Sequence, residues 1–225
     1  MTKPTGTIEA VVFDMDGVIT DTETIWDEVR RGLASEDGVP WPDGATEAMM
    51  GMSTAEWSSY LVETVGLTGD AQDAARRTIE GQAARYHQHL PLMPGAVEAV
   101  RRLAARWPLG LASSSPRVLI DAVLDELGVA DLFHATVSTE EVAAGKPSPD
   151  GYLRVCELLA VQPERAVAVE DSSNGVRSAA AAGMKVVVIP HEAFAVADDA
   201  SELAAAQVGS LDDVTVDLVE SLAEE

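Results

Sequence analysis

The sequence has 225 residues, of which 47% are hydrophobic and 24% charged, with a single cysteine and a formal net charge of −23. Such a charge repels nucleic acid and anionic lipid, no stretch approaches the roughly 20 apolar residues of a membrane span, and one cysteine excludes an internal disulfide. The N-terminus lacks a basic segment followed by an apolar one, so we expect a cytoplasmic protein, a monomer or weak dimer, with no nucleic-acid or membrane partner.

The first predicted element is a buried parallel strand at residues 8–13, where apolar residues form a nearly continuous run. The run ends in Asp14 and Asp16, at the position where open α/β sheets bind ligands. Two carboxylates so close favour a cation between them or a shared proton. The same residues also suit a simple turn, so both interpretations stay open. An EF-hand calcium loop is excluded, because Val18 and Ile25 occupy its fifth and twelfth positions.

Residues 22–90 have a helical pattern, with roughly four helices and no convincing strand. Beyond residue 91, short apolar runs alternate with helical segments, which predicts a parallel sheet covered on both faces. The predicted fold class is therefore α/β, a doubly wound parallel sheet with an inserted all-helical domain. We place the core at residues 1–20 and 92–225, and the helical insert, a cap over the carboxyl edge of the sheet, at residues 21–91.

The alternating region is predicted to contain four further strands and five helices. The strands are at 109–112, 135–138, 166–169 and 186–189, and the helices are at 96–107, 116–127, 149–160, 176–182 and 214–222. Ser115 is predicted to cap the helix that Pro116 opens, and Ser148 the helix that Pro149 opens. The last 28 residues hold nine acids and no lysine or arginine, so we expect a solvated face or a loosely held end there.

Polar residues follow the strand predicted at 109–112. Because Ser115 is assigned to the helix cap, the hydroxyl of Ser113 and the backbone N–H of Ser114 are free to hold an anion near the helix start. A plain loop is the alternative interpretation of Ser113.

Two further polar clusters stand in the second half of the chain. Lys146, one of only three lysines, lies in the sequence Gly-Lys-Pro-Ser-Pro-Asp, whose prolines stiffen the backbone. Glu170 and Asp171 follow the strand predicted at 166–169. Adjacent acids at the end of a buried strand are costly without a cation, and their oxygens suit Mg²⁺. A solvated lysine and a capped helix start are the simpler alternatives.

Taken together and in this order, the four clusters resemble the motifs of the haloacid dehalogenase superfamily of phosphotransferases, from about residue 8 to residue 190. The matching motifs are Asp14-Met15-Asp16-Gly17-Val18 with Thr20-Asp21, then Ser113, then Lys146 with its prolines, then Glu170-Asp171-Ser172. The resemblance implies a Rossmann-like core with a central first strand and an inserted helical cap. It is closest to the branch of sugar-phosphate and polyol-phosphate phosphatases and β-phosphoglucomutase.

The resemblance also implies a mechanism and a cofactor. Asp14 is then the nucleophile that forms an aspartyl phosphate, and Asp16 is the general acid and base. Mg²⁺ is the implied cofactor, held by Asp14, by the backbone carbonyl of Asp16 and by Asp171, with Glu170 nearby.

The remaining phosphate oxygens are assigned by the same resemblance. Ser113, the N–H of Ser114 and Lys146 would bind them, and Lys146 would also keep Asp14 ionised. The cap is expected to select the leaving group, although Trp and Met at helical spacing are also typical of a core. The candidate specificity residues in the cap are Trp26, Met52, Ser53 and Thr54.

Departures from the relatives narrow the expected activity. The cap has no lysine, which argues against a phosphonatase, and Asp16 argues against a dehalogenase. Residues 23–26 contain no histidine and residues 51–56 no arginine, which disfavours a mutase. We predict a Mg²⁺-dependent phosphatase acting on a small phosphorylated metabolite, a sugar or polyol phosphate. A β-phosphoglucomutase-like mutase is the alternative, and a non-catalytic protein that binds a phospho-ligand or a partner is the alternative of another class.

Overall fold

The computed structural model describes residues 7–49, 52–189 and 195–224. The chain divides into two compact units, one made of Met1–Asp21 with Pro91–Glu225 and the other of Thr22–Leu90. We call them the core unit and the helical unit. That the helical unit serves as a cap stays a prediction. No helix among the described residues is long and apolar enough to cross a membrane.

The described residues of the core unit form one parallel sheet of six strands in the order β3-β2-β1-β4-β5-β6. The strands are β1 (Ala10–Phe13), β2 (Leu109–Ser113), β3 (Phe133–Ser138), β4 (Ala166–Glu170), β5 (Lys185–Val188) and β6 (Ala206–Gln207). All four residues of β1 are buried, as expected for an apolar strand between two neighbours. The predicted α/β class and the interior position of the first strand are confirmed.

The described residues form ten α-helices, four in the helical unit and six in the core unit. They are α1 (Glu23–Glu36), α2 (Ala45–Met49), α3 (Thr54–Tyr60), α4 (Ala71–Tyr86), α5 (Ala96–Ala104), α6 (Arg117–Leu127), α7 (Asp150–Leu159), α8 (Ser173–Ala181), α9 (Asp198–Ser201) and α10 (Val216–Ser221). The strand order reverses between β3 and β4, so right-handed crossovers lay α5 and α6 on one face of the sheet and α7 and α8 on the other. The reversal makes the carboxyl ends of β1 and β4 the expected ligand site.

The two predicted helix caps are wrong. Pro116 itself occupies the N-cap position of α6 and Pro149 that of α7, and neither helix start has a side-chain cap. Ser148 donates instead to the Asp150 carboxylate at 2.9 Å. The hydroxyl of Ser115 donates instead to the Asp16 carboxylate, 99 residues away in the sequence.

The acidic C-terminal segment is better packed than expected. Its strand β6 extends the sheet beside β5, and both β6 and α9 were absent from the sequence prediction. Leu211, Val214 and Val219 are buried. Arg102 of α5 donates to the carbonyls of Leu211 and Val214. The segment is solvated on one side only, so the expectation of a loosely held end is wrong.

The helical unit contains α1 to α4 and a π-helical turn, Leu61–Val65, that continues α3. Its interior contains an aromatic pair, because the rings of Trp26 and Trp57 meet edge to face with centroids 5.8 Å apart. The Arg30 guanidinium stacks on both rings, at 4.7 Å and 5.2 Å from their centroids. Burial lowers the pKa of Arg30 to about 10 against the opposing effect of the Glu23 and Asp27 carboxylates.

Candidate active site

The pairing of β1 with β4 brings two acidic segments together. Phe13 lies opposite Val169, and the N–H of Asp14 donates to the Val169 carbonyl at 3.0 Å, one residue past the end of β1. Asp14 therefore lies at the same edge of the sheet as Glu170, which ends β4, and Asp171, which follows it. One carboxylate oxygen from each of these three acids lies within 4.8 Å of the others.

A tight turn after β1 makes this approach possible. Gly17 has φ of +82°, and a Cβ at this position would lie 1.9 Å from Asp171 Oδ2. The turn is closed by hydrogen bonds from the Gly17 N–H to the Thr20 carbonyl and from the Thr20 N–H to the Met15 carbonyl. Only glycine has both the backbone freedom and the lack of a side chain that this position requires.

Lys146 joins the acidic residues from the loop between β3 and α7. Its Nζ donates to Asp14 Oδ1 at 2.7 Å and to Glu170 Oε1 at 2.6 Å. The lysine side chain is 7% exposed, so the two ion pairs are shielded from water. The sequence interpretation required Lys146 and Asp171 to lie within about 10 Å of Asp14, and both do.

Glu170 is fully buried and accepts hydrogen bonds on both oxygens. Oε1 accepts from Lys146 and, at 2.6 Å, from the hydroxyl of Tyr152 in α7. Oε2 lies 3.2 Å from both the N–H of Asp171 and the hydroxyl of Ser172, which caps α8. These contacts favour a role for Glu170 in holding Lys146. Direct metal ligation by Glu170 stays a prediction.

The electrostatics of the site reflect three carboxylates around one ammonium. Burial raises the pKa of Asp14 to about 7, even though Lys146 opposes the shift. Burial and the neighbouring acid Asp14 also hold the pKa of Asp171 well above its usual range. Burial lowers the pKa of Lys146, but the charges of Asp14 and Glu170 more than offset this and raise it above normal.

The same residues fit a divalent cation. Asp171 Oδ1 is buried and accepts no hydrogen bond from the residues described here. A buried carboxylate oxygen without a donor is costly unless a cation compensates it. Hard carboxylate oxygens from Asp14 and Asp171 are the donor type that Mg²⁺ prefers.

The serine loop after β2 lies at this site through Ser115. Its hydroxyl donates to Asp16 Oδ2 at 2.6 Å. The N–H of Ser115 donates to Ser113 Oγ at 3.0 Å, which leaves the Ser113 hydroxyl proton available for an anion. Ser113 is buried and Ser114 is exposed. The Thr20 hydroxyl donates to Asp16 Oδ1 at a longer distance of 3.4 Å.

The four cap candidates belong to the helical unit, and their roles stay predictions. Trp26 is buried in the stack with Arg30 and Trp57. Ser53 caps α3 in a reciprocal pair with Glu56. Met52 and Thr54 are half-buried. Gly51, at the start of the loop compared with the mutases, lies outside the described residues.

Sequence reasoning missed Tyr152 and misassigned Ser115. Tyr152 is fully buried, and a buried phenol normally finds a hydrogen-bond acceptor. A tyrosine on the apolar face of a helix next to an acidic cluster is therefore the signal that was available. No local signal identified the acceptor of Ser115, because Asp16 is 99 residues away.

A doubly wound parallel sheet that gathers acids and one buried lysine at its carboxyl edge defines a class of α/β enzymes built to hold a cation and an anionic substrate. The family model of the haloacid dehalogenase-like hydrolases matches residues 8–183, and the chain belongs to this family. The predicted family, and its sugar-phosphatase and β-phosphoglucomutase-like branch, are confirmed.

Three relatives illustrate the similarity. The chain is 34% identical to the phosphorylated carbohydrates phosphatase of Thermotoga maritima over 179 residues, covering 79% of this chain and 83% of the relative. It is 31% identical to hexitol phosphatase B of Escherichia coli over 200 residues, with coverages of 81% and 84%. The chain is 26% identical to CbbY from Rhodobacter sphaeroides. The crystal structure of CbbY in complex with phosphate matches this structure with a TM-score of 0.81, covering 92% of this chain and 96% of CbbY.

Proposed function

We propose that the protein is a Mg²⁺-dependent phosphatase that hydrolyses a small sugar or polyol phosphate through an aspartyl phosphate on Asp14. The observation that carries the proposal is the Asp14 carboxylate, held at 2.7 Å by Lys146 beside Asp171, whose buried Oδ1 has no partner among the described residues. The names of the two phosphatase relatives support the substrate class.

The first step is phosphoryl transfer to the protein. A carboxylate oxygen of Asp14 forms a bond to phosphorus while the bond from phosphorus to the leaving oxygen breaks. Lys146 binds Oδ1 of Asp14 and favours the ionised form of the carboxylate against the effect of burial on its pKa. Asp14, the backbone carbonyl of Asp16 and Asp171, with Glu170 nearby, would hold Mg²⁺, which would supply positive charge that lets two anions approach and that stabilises the charge developing in transfer.

Asp16 moves the proton in both steps. Its carboxylic acid protonates the leaving alkoxide as the first bond breaks. The resulting carboxylate then accepts a proton from water, and the oxygen of that water attacks the phosphorus of the aspartyl phosphate. Inorganic phosphate leaves, and the carboxylate of Asp14 is regenerated.

Three groups are assigned to the phosphate oxygens that do not react. Ser113 can donate its hydroxyl proton because its oxygen already accepts the Ser115 N–H. The N–H of Ser114 and the ammonium of Lys146 complete the set. Removal of one such donor typically lowers the rate about 10²–10³-fold.

The helical unit is assigned the choice of leaving group. It is inserted between Asp21 and Pro91, whose backbones are hydrogen-bonded to each other at 3.0 Å. The two points at which the insert joins the core unit are therefore adjacent, and Asp21 is five residues after Asp16. Trp26, Met52, Ser53 and Thr54 are the residues that we assign to substrate selection.

Phosphate release from 4-nitrophenyl phosphate and from a panel of sugar and polyol phosphates tests the proposal. We expect turnover with Mg²⁺, none with EDTA, and a loss of at least about 10³-fold in Asp14→Asn, because the amide is a poor nucleophile of the same shape. Asp131→Asn, at an exposed aspartate, is the matched control and should retain full activity. An Asp14→Asn variant that retains wild-type turnover would refute the mechanism.

The two alternatives give different results in the same experiment. A mutase supplied with β-glucose 1-phosphate would form glucose 6-phosphate, whereas a phosphatase releases free phosphate. A non-catalytic binding protein would show no Mg²⁺-dependent turnover of any compound in the panel.

A further inference from the structure

We infer that Ser115 is a positioning residue that holds the Asp16 carboxylate in the orientation required for proton transfer to the leaving group. The inference rests on the proposed phosphatase function and assigns to that reaction a residue that local sequence patterns place in a helix cap.

The contact between Ser115 and Asp16 is short and protected from water. The Ser115 hydroxyl donates to Asp16 Oδ2 at 2.6 Å, and Ser115 is buried, with 5% of its surface exposed. Hydrogen bonds from hydroxyls to carboxylates are stronger than those between neutral groups at this separation. The Thr20 hydroxyl lies 3.4 Å from the other carboxylate oxygen, so Ser115 makes the shorter of these two hydroxyl contacts.

Ser115 is itself fixed through its backbone. Its N–H donates to Ser113 Oγ at 3.0 Å. Its carbonyl accepts a hydrogen bond at 2.7 Å from the hydroxyl of Ser138, which ends β3. The N–H of Ser138 donates in turn to Glu141, which also binds Arg117 at the start of α6. The serine that contacts Asp16 is therefore held by two neighbouring strand ends rather than by a free loop.

This arrangement leaves the start of α6 without a cap. The N-cap residue Pro116 has no side-chain hydrogen bond to the helix, although a serine or threonine hydroxyl is among the preferred groups at this position. Ser115 is the adjacent residue with a hydroxyl, and that hydroxyl points to Asp16 instead. The local helix preference is thus overridden by the contact with the acid.

Orientation matters because the carboxylate of Asp16 can rotate about its terminal torsion, and only a narrow range of angles places a proton on the leaving oxygen. A displacement of about 1 Å in a reacting group can cost about 10²-fold in rate. A hydrogen bond from the fixed Ser115 hydroxyl to Oδ2 limits this rotation.

The dependence on the leaving group separates this role from phosphate binding. An alkoxide needs protonation as it departs, whereas 4-nitrophenolate departs readily without it. The value of kcat/KM covers only the steps up to departure of the leaving group, so later hydrolysis of the aspartyl phosphate does not affect it. Loss of orientation should therefore reduce kcat/KM for alkyl phosphates selectively.

The experiment compares wild type, Ser115→Ala and Ser115→Thr on 4-nitrophenyl phosphate and on the sugar or polyol phosphate that the wild type hydrolyses best. For Ser115→Ala we expect a loss of about 30-fold in kcat/KM for the alkyl phosphate and less than about 3-fold for the aryl phosphate, since acid catalysis contributes about 10²–10⁴-fold. Ser115→Thr keeps the hydroxyl and should restore most of the alkyl activity. Ser58→Ala, at a buried serine that donates to a helix carbonyl, is the matched control. It should leave the ratio of kcat/KM for the alkyl phosphate to kcat/KM for the aryl phosphate unchanged.

Equal losses on both substrates would overturn the inference, because they would mean that Ser115 binds phosphate or only supports folding. Unchanged kinetics on both would overturn it as well. Thermal unfolding of each variant checks the fold, and Ser115→Cys, nearly the same size with a weak donor, replaces the alanine variant if that fails to fold and should show the same selective loss. An inactive wild type would refute the proposed function. An active wild type whose ratio of kcat/KM values on the alkyl and aryl phosphates is unchanged in Ser115→Ala refutes only the role of Ser115.

Discussion

Replacement of Tyr152 by phenylalanine removes one hydroxyl from the interior of the site and preserves the rest of the side chain. The hydroxyl donates to Glu170 Oε1 at 2.6 Å, and both residues are fully buried. Burial and the charge of Glu170 raise the pKa of Tyr152 well above its usual range. The phenol therefore stays protonated and acts as a donor across the accessible pH range.

The size of the effect follows from this geometry. A hydrogen bond to a charged group contributes about 1.5–3 kcal/mol. Oε1 keeps the Lys146 ammonium as a second donor at 2.6 Å, so the acceptor is not orphaned and we expect a loss of about 2 kcal/mol in the free energy of unfolding. For a protein of this size, this corresponds to a fall in Tm of about 4–8 °C.

The assay must report on the core unit. Three of the four tryptophans lie in the helical unit and only Trp107 in the core unit, so intrinsic fluorescence follows the wrong part of the chain. We therefore choose urea unfolding followed by thiol labelling of Cys156, which is buried in α7. EDTA is present throughout, since a bound metal adds its own stabilisation.

Tyr60→Phe is the matched control. The Tyr60 hydroxyl makes no hydrogen bond to the residues that the structure describes, and Tyr60 is half-buried. Its free energy of unfolding should change by less than about 0.5 kcal/mol, as for most such substitutions. A Tyr152→Phe variant as stable as Tyr60→Phe would show that the bond to Glu170 is absent in solution.

Three further predictions concern other parts of the chain. Gly17→Ala should abolish phosphate release, because its Cβ would lie 1.9 Å from Asp171 Oδ2, and measurable turnover within about 10-fold of wild type would contradict this. Cys156 is buried and burial raises its pKa to about 11, so its labelling at pH 8 should be at least about 100-fold slower in the folded protein than in urea, and equal rates would contradict this. Arg30→Met should leave the Tm unchanged or raise it, because the Nε–H of Arg30 is buried and donates no hydrogen bond to the described residues, so removal of this unsatisfied donor offsets the lost stacking. A fall of more than about 2 kcal/mol in the unfolding free energy would show that the stacking dominates.

The acidic centre of the site could be predicted from the sequence because one rule governs it. An apolar run buried on both faces marks a parallel strand, and the carboxyl ends of neighbouring parallel strands meet at one edge. Asp14 comes directly after one such run, and only Glu170 separates Asp171 from the other. The pairing of β1 with β4 therefore brings them to one edge of the sheet, where their carboxylate oxygens lie within 4.8 Å.

The helix caps could not be predicted in the same way. Capping rules weigh only the few residues around a helix start, and they assigned Ser115 and Ser148 to caps that neither makes. In the folded chain the Ser115 hydroxyl instead donates to a carboxylate that only the tertiary fold brings near it. Local preference is overridden here because a charged partner outweighs a backbone N–H.

The distinct roles of Glu170 and Asp171 also depend on the fold. Both are carboxylates at the end of β4, and the sequence placed both at the metal. Glu170 Oε1 forms an ion pair with Lys146 Nζ at 2.6 Å, and the charges of these two residues cancel. Asp14 and Asp171 are then left with two negative charges, and the pKa of each is raised. A single divalent cation balances those two charges, whereas Lys146 alone cannot, and this charge balance is the physical reason why we expect activity to require Mg²⁺.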